Sequence, residues 1–273
     1  MSCDDHTPDA EPLKKRSGLR SSKRVAGAGG ATASSAVPDP AVEAAIFLEE
    51  GAVHIERGDT VRAIAAYRSA LALRGDDAEC WFNLGFACAL HGDQMAAVDA
   101  YGRAAELDPR EYETWYNLGN AHLELGRLDD AILSFRTAID RHDGDPEVWN
   151  NLGNALVSAE RGAEAGRCFR RALGLNPGYD LSWNNLGNVL EESGEFAEAR
   201  KAFEMAVTLV PDHATYRVNL ASALARGGEV ERAVEHLARA VALAPEITTL
   251  LPGFAEFATL LTDPRLSRPA SGG

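Results

Sequence analysis

The sequence predicts an all-α fold: a solenoid of six helix-turn-helix units of 34 residues, closed by a C-terminal capping helix. The first observation behind this is a strict repeat. Trp81-Phe-Asn-Leu-Gly85, Trp115-Tyr-Asn-Leu-Gly119, Trp149-Asn-Asn-Leu-Gly153 and Trp183-Asn-Asn-Leu-Gly187 recur every 34 residues. The second is that apolar residues inside each unit fall on two helical stripes. The third is punctuation, with glycine and proline closing these stripes at fixed places.

The elements follow in order. Residues 1–40 are rich in Ser, Gly, Ala and Pro and carry Lys14, Lys15, Arg16, Arg20, Lys23 and Arg24, with almost nothing bulky to bury. A disordered N-terminal tail is expected there, because the segment cannot offset its ordering entropy by burial. The array then runs over residues 41–247. With Trp at position 4, units begin at Ala44, Ala78, Tyr112, Pro146, Asp180 and Ala214, without insertion or deletion.

Positions 4, 7, 8 and 11 share one face of a first helix, as Trp115, Leu118, Gly119 and His122 do in the third unit. Gly58, Gly92, Gly126, Gly194 and Gly228 at position 15 close that helix, since a residue without Cβ takes the left-handed conformation at little cost. Positions 20, 24 and 27 make the stripe of a second helix, small-large-small, as in Ala97/Tyr101/Ala104 and Ala165/Phe169/Ala172. Such alternation lets helix backbones approach while a ring fills the gap. Pro109, Pro177, Pro211 and Pro245 at position 32 force the turn into the next unit. After the sixth unit, Thr248 and Thr249 as caps and the stripe Leu250, Leu251, Phe254, Phe257, Ala258 and Leu261 predict a capping helix over residues 248–262. Residues 263–273 read as a flexible tail.

These residues resemble the tetratricopeptide repeat, whose pattern has Trp at 4, Leu-Gly at 7 and 8, Ala at 20, an aromatic at 24, Ala at 27 and Pro at 32. The resemblance covers about three quarters of the chain, from Ala44 to Ile247. The first unit departs with Phe47, Glu50 and Gly75, the fourth with Glu160 at the glycine position, and the sixth with Arg217 for Trp and Ala221 for Gly. Atypical ends suit units with a neighbour on one side only. The resemblance implies a right-handed superhelix whose concave groove is lined by the first helix of each unit.

The candidate binding residues lie on the first helices. Positions 2, 6, 9 and 13 cluster opposite the packing stripe, so their identity is free to report function. Asn83, Asn117, Asn151, Asn185 and Asn219 occupy position 6, and Asn120, Asn154 and Asn188 occupy position 9. Asn inside a helix costs up to about 0.7 kcal/mol relative to Ala, so eight in register need a reason. A carboxamide offers one acceptor and two donors, matching a peptide bond, and a row of them can hold an extended chain whatever its side chains. A similar row in the repeat region of O-linked N-acetylglucosamine transferases grips substrate backbone, and the resemblance implies such a groove here. Phe82, Tyr116 and Phe86 are candidate apolar anchors beside it. Glu79, Glu113 and Glu147 at position 2, with Glu124 and Glu192 at position 13, would edge the groove with negative potential.

Composition sets limits on function. The chain has 273 residues, 45% hydrophobic, with a formal charge of −14, which disfavours a surface that tracks nucleic-acid phosphates. No apolar run reaches membrane-spanning length, and residues 1–40 lack the apolar stretch of a secretory signal. Cys3, Cys80, Cys88 and Cys168 have neither metal-ligand spacing nor a disulfide pattern, which fits a reducing cytoplasm. There is no nucleophile elbow, phosphate loop or metal-site spacing. Lys and Arg are absent from the positions at which relatives clamp acidic C-termini. The expectation is a cytoplasmic, non-enzymatic adaptor or scaffold, without cofactor or metal. Its partner would be a protein or peptide, extended and neutral to basic, and neither nucleic acid nor membrane. The alternatives are a structural assembly subunit or homo-oligomer, and a targeting subunit of a separate glycosyltransferase-type enzyme.

Overall fold

The computed structural model describes residues 39–249 together with Leu251, Phe257, Leu260, Asp263 and Leu266. Within them run twelve α-helices: α1 Pro40–Glu56, α2 Thr60–Leu73, α3 Ala78–His91, α4 Gln94–Leu107, α5 Tyr112–Glu124, α6 Leu128–Arg141, α7 Pro146–Ser158, α8 Gly162–Leu175, α9 Asp180–Glu192, α10 Phe196–Leu209, α11 Ala214–Arg226 and α12 Val230–Leu243. They form six sequential antiparallel pairs, the all-α tetratricopeptide-like solenoid that the repeat predicts. The chain divides into two compact units, residues 1–121 and 122–273, and the division falls inside α5.

Five of the helix starts are capped by aspartate. Asp39, Asp59, Asp77, Asp93 and Asp145 each accept a hydrogen bond from a backbone N–H of the following first turn, at 2.9–3.1 Å. Pro40 at the first position of α1 begins that helix one turn before the repeat frame does. The helix-closing glycines take positive φ between 68° and 88°. Glu160 stands at the same position in the fourth repeat and takes φ 58°, so a residue with a Cβ is held where the repeat geometry requires a left-handed turn.

Packing within each pair turns on position 8. A Cβ built on Gly51, Gly85, Gly153 or Gly187 would stand 2.4–2.7 Å from the ring of Tyr67, Tyr101, Phe169 or Phe203, rings that are buried almost completely. The glycine is therefore the floor on which the aromatic at position 24 lies. Alanine there would force the helices apart, an overpacking cost of about 1–3 kcal/mol.

Position 4 does a different job. The indole N–H of Trp81, Trp115, Trp149 and Trp183 donates to the carbonyl six residues earlier, of Gly75, Pro109, Asp143 and Pro177, at 2.8–3.1 Å. Each bond ties the last turn of one repeat to the first helix of the next. Arg217 departs from the repeat in residue type and keeps the bond, its Nε donating to the Pro211 carbonyl at 2.6 Å. Phe47, at position 4 of the first repeat, has no side-chain donor and packs on the core of the first unit.

In the second unit, ion pairs stitch successive outer helices. Arg136 on α6 meets Glu164 on α8 at 3.0 Å, and Arg232 on α12 meets Glu204 on α10 at 3.0 Å, the same two positions with charges exchanged. Arg171 pairs with Asp143 at 3.0 Å and lies over the Trp149 ring, and Arg239 pairs with Asp212 at 2.8 Å.

A 3-10 turn, Pro245–Thr249, follows α12 and packs on it. The hydroxyls of Thr248 and Thr249 donate back to the carbonyls of Pro245 and Glu246, each closing its own short turn. Leu251 and Phe257, from the predicted capping stripe, are buried, and so is Leu260, which that stripe did not include. The rest of residues 250–262, the N-terminal tail before Asp39 and nearly all of residues 263–273 lie outside the described residues.

Candidate functional site: the asparagine row

The asparagines of the two units are held differently. In the first unit, Asn83 on α3 is 1% exposed, and Phe82 beside it is also 1% exposed with its ring 5.6 Å from that of Tyr101. Both belong to the core. Phe82 is therefore buried against Tyr101 rather than exposed as an anchor, and Asn83 is buried beside it. Phe86 is half-buried and rests on the same core, and Tyr116 is half-buried on α5. Asn117 donates to the Glu113 carbonyl one turn earlier at 2.8 Å, a bond within its own helix, and Asn120 is half-buried.

The second unit brings its asparagines into contact. On α9, Asn185 Nδ2 donates to Asn154 Oδ1 at 2.9 Å and to Asn150 Oδ1 at 3.3 Å, both on α7. One repeat on, Asn219 Nδ2 of α11 donates to Asn184 Oδ1 at 2.8 Å and Asn188 Oδ1 at 3.4 Å, both on α9. The rule is the same at both steps: position 6 of one repeat donates to positions 5 and 9 of the repeat before it. Asn150 also accepts from Ser182 Oγ at 2.9 Å and donates to Asn151 Oδ1 at 3.3 Å.

The expectation that position 6 is free of packing is thus corrected. At Asn185 and Asn219 its carboxamide spans a repeat junction, because helices of adjacent repeats lie within hydrogen-bond reach there. The sequence reading left out Asn150 and Asn184 at position 5, which are 3% and 9% exposed, together with Ser182, which is fully buried. A signal was present: an Asn on a stripe otherwise filled by Phe, Tyr or Val demands a partner once buried.

Electrostatics around the row are mixed. Glu79, Glu113 and Glu147 are half-buried, while Glu124 and Glu192 are exposed. Asp180 accepts from the Tyr216 hydroxyl at 2.8 Å, and Tyr216 stacks on His213 with ring centroids 3.8 Å apart. Glu191 pairs with Arg226 at 3.4 Å. At the outer edge of the sixth repeat, Arg217 Nη1 lies 3.2 Å from His236 Nδ1. Burial first, then Arg217 and Arg232, hold the His236 pKa below its usual value.

Cys80, Cys88 and Cys168 are buried free thiols, and burial raises the pKa of each, to about 12 for Cys80 and about 11 for Cys168. Among the described residues, no group of three or more His, Cys, Asp or Glu is placed to hold a metal ion, and no helix is long and apolar enough to cross a membrane.

Against known proteins, residues 13–250 match the family model of the cilia and flagella-associated protein 70 C-terminal domain, a tetratricopeptide domain. No curated protein matches the chain. Solved structures of similar fold include PilF of Pseudomonas aeruginosa, 19% identical over 81% of this chain and 97% of that one, with a TM-score of 0.65. YrrB, described as a tetratricopeptide protein with an unusual peptide-binding site, is 24% identical over 70% of this chain and 98% of that one, with a TM-score of 0.59. MamA is 25% identical over 61% of this chain and 97% of that one, with a TM-score of 0.57.

Proposed function

Because the chain belongs to the family of the cilia and flagella-associated protein 70 C-terminal domain, a tetratricopeptide family and thus a protein-binding scaffold, we propose that it is a non-enzymatic adaptor holding an extended segment of a partner protein along its asparagine row. The observation that carries this reading is the hydrogen-bonded series on α7, α9 and α11, where carboxamides of three consecutive repeats are fixed in orientation by one another. Side chains already ordered before a ligand arrives lose less entropy when it binds.

The name of the family supports a partner in a cilium or flagellum. The free thiols support a reducing compartment such as the cytoplasm. The formal charge of −14 and the acidic residues at positions 2 and 13 support a neutral or basic partner over an acidic one. Likeness to the repeats of O-linked N-acetylglucosamine transferases rests on the asparagines alone, so the reading takes from it the mode of grip and no catalytic association.

Magnitude limits what the row supplies. Five hydrogen bonds at a net ~0.5–1.5 kcal/mol each contribute ~3–7 kcal/mol, short of the roughly 8 kcal/mol of micromolar binding, so apolar or charged contacts must add to it. The test is titration of partner peptides, identified by affinity capture with the whole chain, against the wild type and an Asn117→Ala/Asn154→Ala/Asn188→Ala variant whose melting temperature is checked in parallel. A loss of about ten-fold or more in affinity with the fold retained is expected; unchanged affinity removes the row from the mechanism.

A further inference from the structure

In the second unit, counting donors and acceptors separates two kinds of asparagine. A carboxamide has two N–H groups and one oxygen. Asn185 spends both N–H groups on the preceding repeat, at Asn154 and Asn150, and Asn219 spends both at Asn188 and Asn184. Each therefore retains only its Oδ1. The residues at position 9 are the converse: Asn154 and Asn188 accept at Oδ1 and retain their N–H groups. Asn154, Asn185 and Asn219 are half-buried and Asn188 exposed, and none of the retained atoms is enclosed without a partner, so all meet solvent.

The orientation at Asn185 is set by its neighbours. Asn150 donates to Asn151 through Nδ2, which turns its oxygen toward Asn185 and obliges Asn185 to donate. With its nitrogen so engaged, Asn185 also turns N–H toward Asn154, whose oxygen must then face inward and whose N–H groups face out. One repeat along, Asn219 likewise donates to both Asn184 and Asn188.

We propose that the two kinds of asparagine divide the work: Asn185 and Asn219 brace one repeat to the next, while the outward N–H groups of Asn154 and Asn188, each beside the outward oxygen of its brace, bind the main chain of an extended polypeptide. This rests on the adaptor reading above and narrows it. Each pair sets a donor beside an acceptor, the complement of the carbonyl and N–H that a main chain presents. The ligand class is then a peptide read by its backbone, and the residues that discriminate are those at position 9.

Substituting Asp at the two positions separates bracing from binding. Asn154→Asp/Asn188→Asp keeps the oxygens that Asn185 and Asn219 need and replaces the outward donors with acceptors. Asn185→Asp/Asn219→Asp does the reverse and sets oxygen against oxygen at the junction. The probe is a panel of short acetylated peptides of Ser, Thr, Gln and Val in varied order, neutral so that the added charges do not attract them. A second panel carries the same side chains with alternate backbone nitrogens methylated. Binding is read by fluorescence anisotropy with the whole chain, and folding by thermal melts.

Expected results are binding of the first panel with little dependence on sequence, weakening of about ten-fold or more on methylation, and a similar loss in Asn154→Asp/Asn188→Asp at an unchanged melting temperature. Asn185→Asp/Asn219→Asp is expected to melt lower. Should Asn154→Asp/Asn188→Asp fail to fold, the methylation comparison on the wild type still decides. Peptides that bind equally well when methylated, or that bind the folded Asn154→Asp/Asn188→Asp variant undiminished, overturn this division of labour and leave the adaptor reading standing. A wild type that binds no member of either panel overturns the backbone reading, and the captured-partner titration then judges the adaptor reading alone.

Discussion

At the scale of single residues, the structure separates side chains by where their hydrogen bonds end. Asn150 is the clearest case, because an amide on an apolar stripe is tolerated only through bonds to Ser182, Asn151 and Asn185. His236 is another. A guanidinium has no acceptor, so Arg217 must donate to His236 Nδ1, and that nitrogen must be unprotonated. Burial and the neighbouring Arg217 and Arg232 all favour the neutral ring, against the weaker opposite pull of Glu235 and Glu204. The sign of the pH effect follows. In the unfolded chain His236 takes a proton near its usual pKa of 6.5, whereas in the fold it resists to a lower pH, so the unfolded state binds more protons and stability falls as pH falls through that window. His122, whose pKa burial also lowers, adds in the same direction. Thermal melts from about pH 7 to about pH 5 should therefore show a declining midpoint, and His236→Gln, which keeps an acceptor and does not titrate, should flatten part of that decline.

At the scale of elements, the unit of organisation is the junction between repeats more than the helix pair. Trp at position 4 was legible as an apolar face residue, and its N–H bond to the turn of the preceding repeat was not, because the stripe reports burial and says nothing of a donor. Hence Arg217 looks like a lapse in the sequence and is a functional replacement in the structure. Arg217→Ala should lower stability by about 0.5–2 kcal/mol, since it leaves the Pro211 carbonyl without this donor, and Arg217→Trp should recover most of the loss. Denaturant unfolding of the three proteins checks the order. Position 6 repeats the lesson: opposite the Trp stripe it reads as solvent-facing, yet each of Asn185 and Asn219 reaches two residues 31 and 35 positions earlier in the chain. Phe82 was misjudged for a related reason, since position 5 lies at the border of the buried face and only the neighbouring Tyr101 decides that it is covered.

At the scale of the whole molecule, a repeat chain is held by nearest-neighbour interfaces, so stability should be lowest where a repeat has one neighbour. The first repeat exposes Val42 and Ile46 on α1. The last repeat has the 3-10 turn packed on α12, with Leu251, Phe257 and Leu260 buried after it. Hydrogen exchange should therefore be asymmetric. Amides of α1 and α2 are expected to exchange at least about ten-fold faster than those of α7 to α10, while α11 and α12 stay closer to the centre of the second unit. Equal protection at α1 and α7 would contradict a sum of nearest-neighbour interfaces.

By itself the sequence determined the repeat length, the number of helix pairs and the left-handed turn at the position 15 glycines. These depend on contacts within one repeat, and each is written as residue types at a fixed spacing. Tertiary structure alone decided which asparagine atoms face outward. That choice depends on partners in the neighbouring repeat, and a carboxamide has the same name whether its nitrogen or its oxygen is the end left to water.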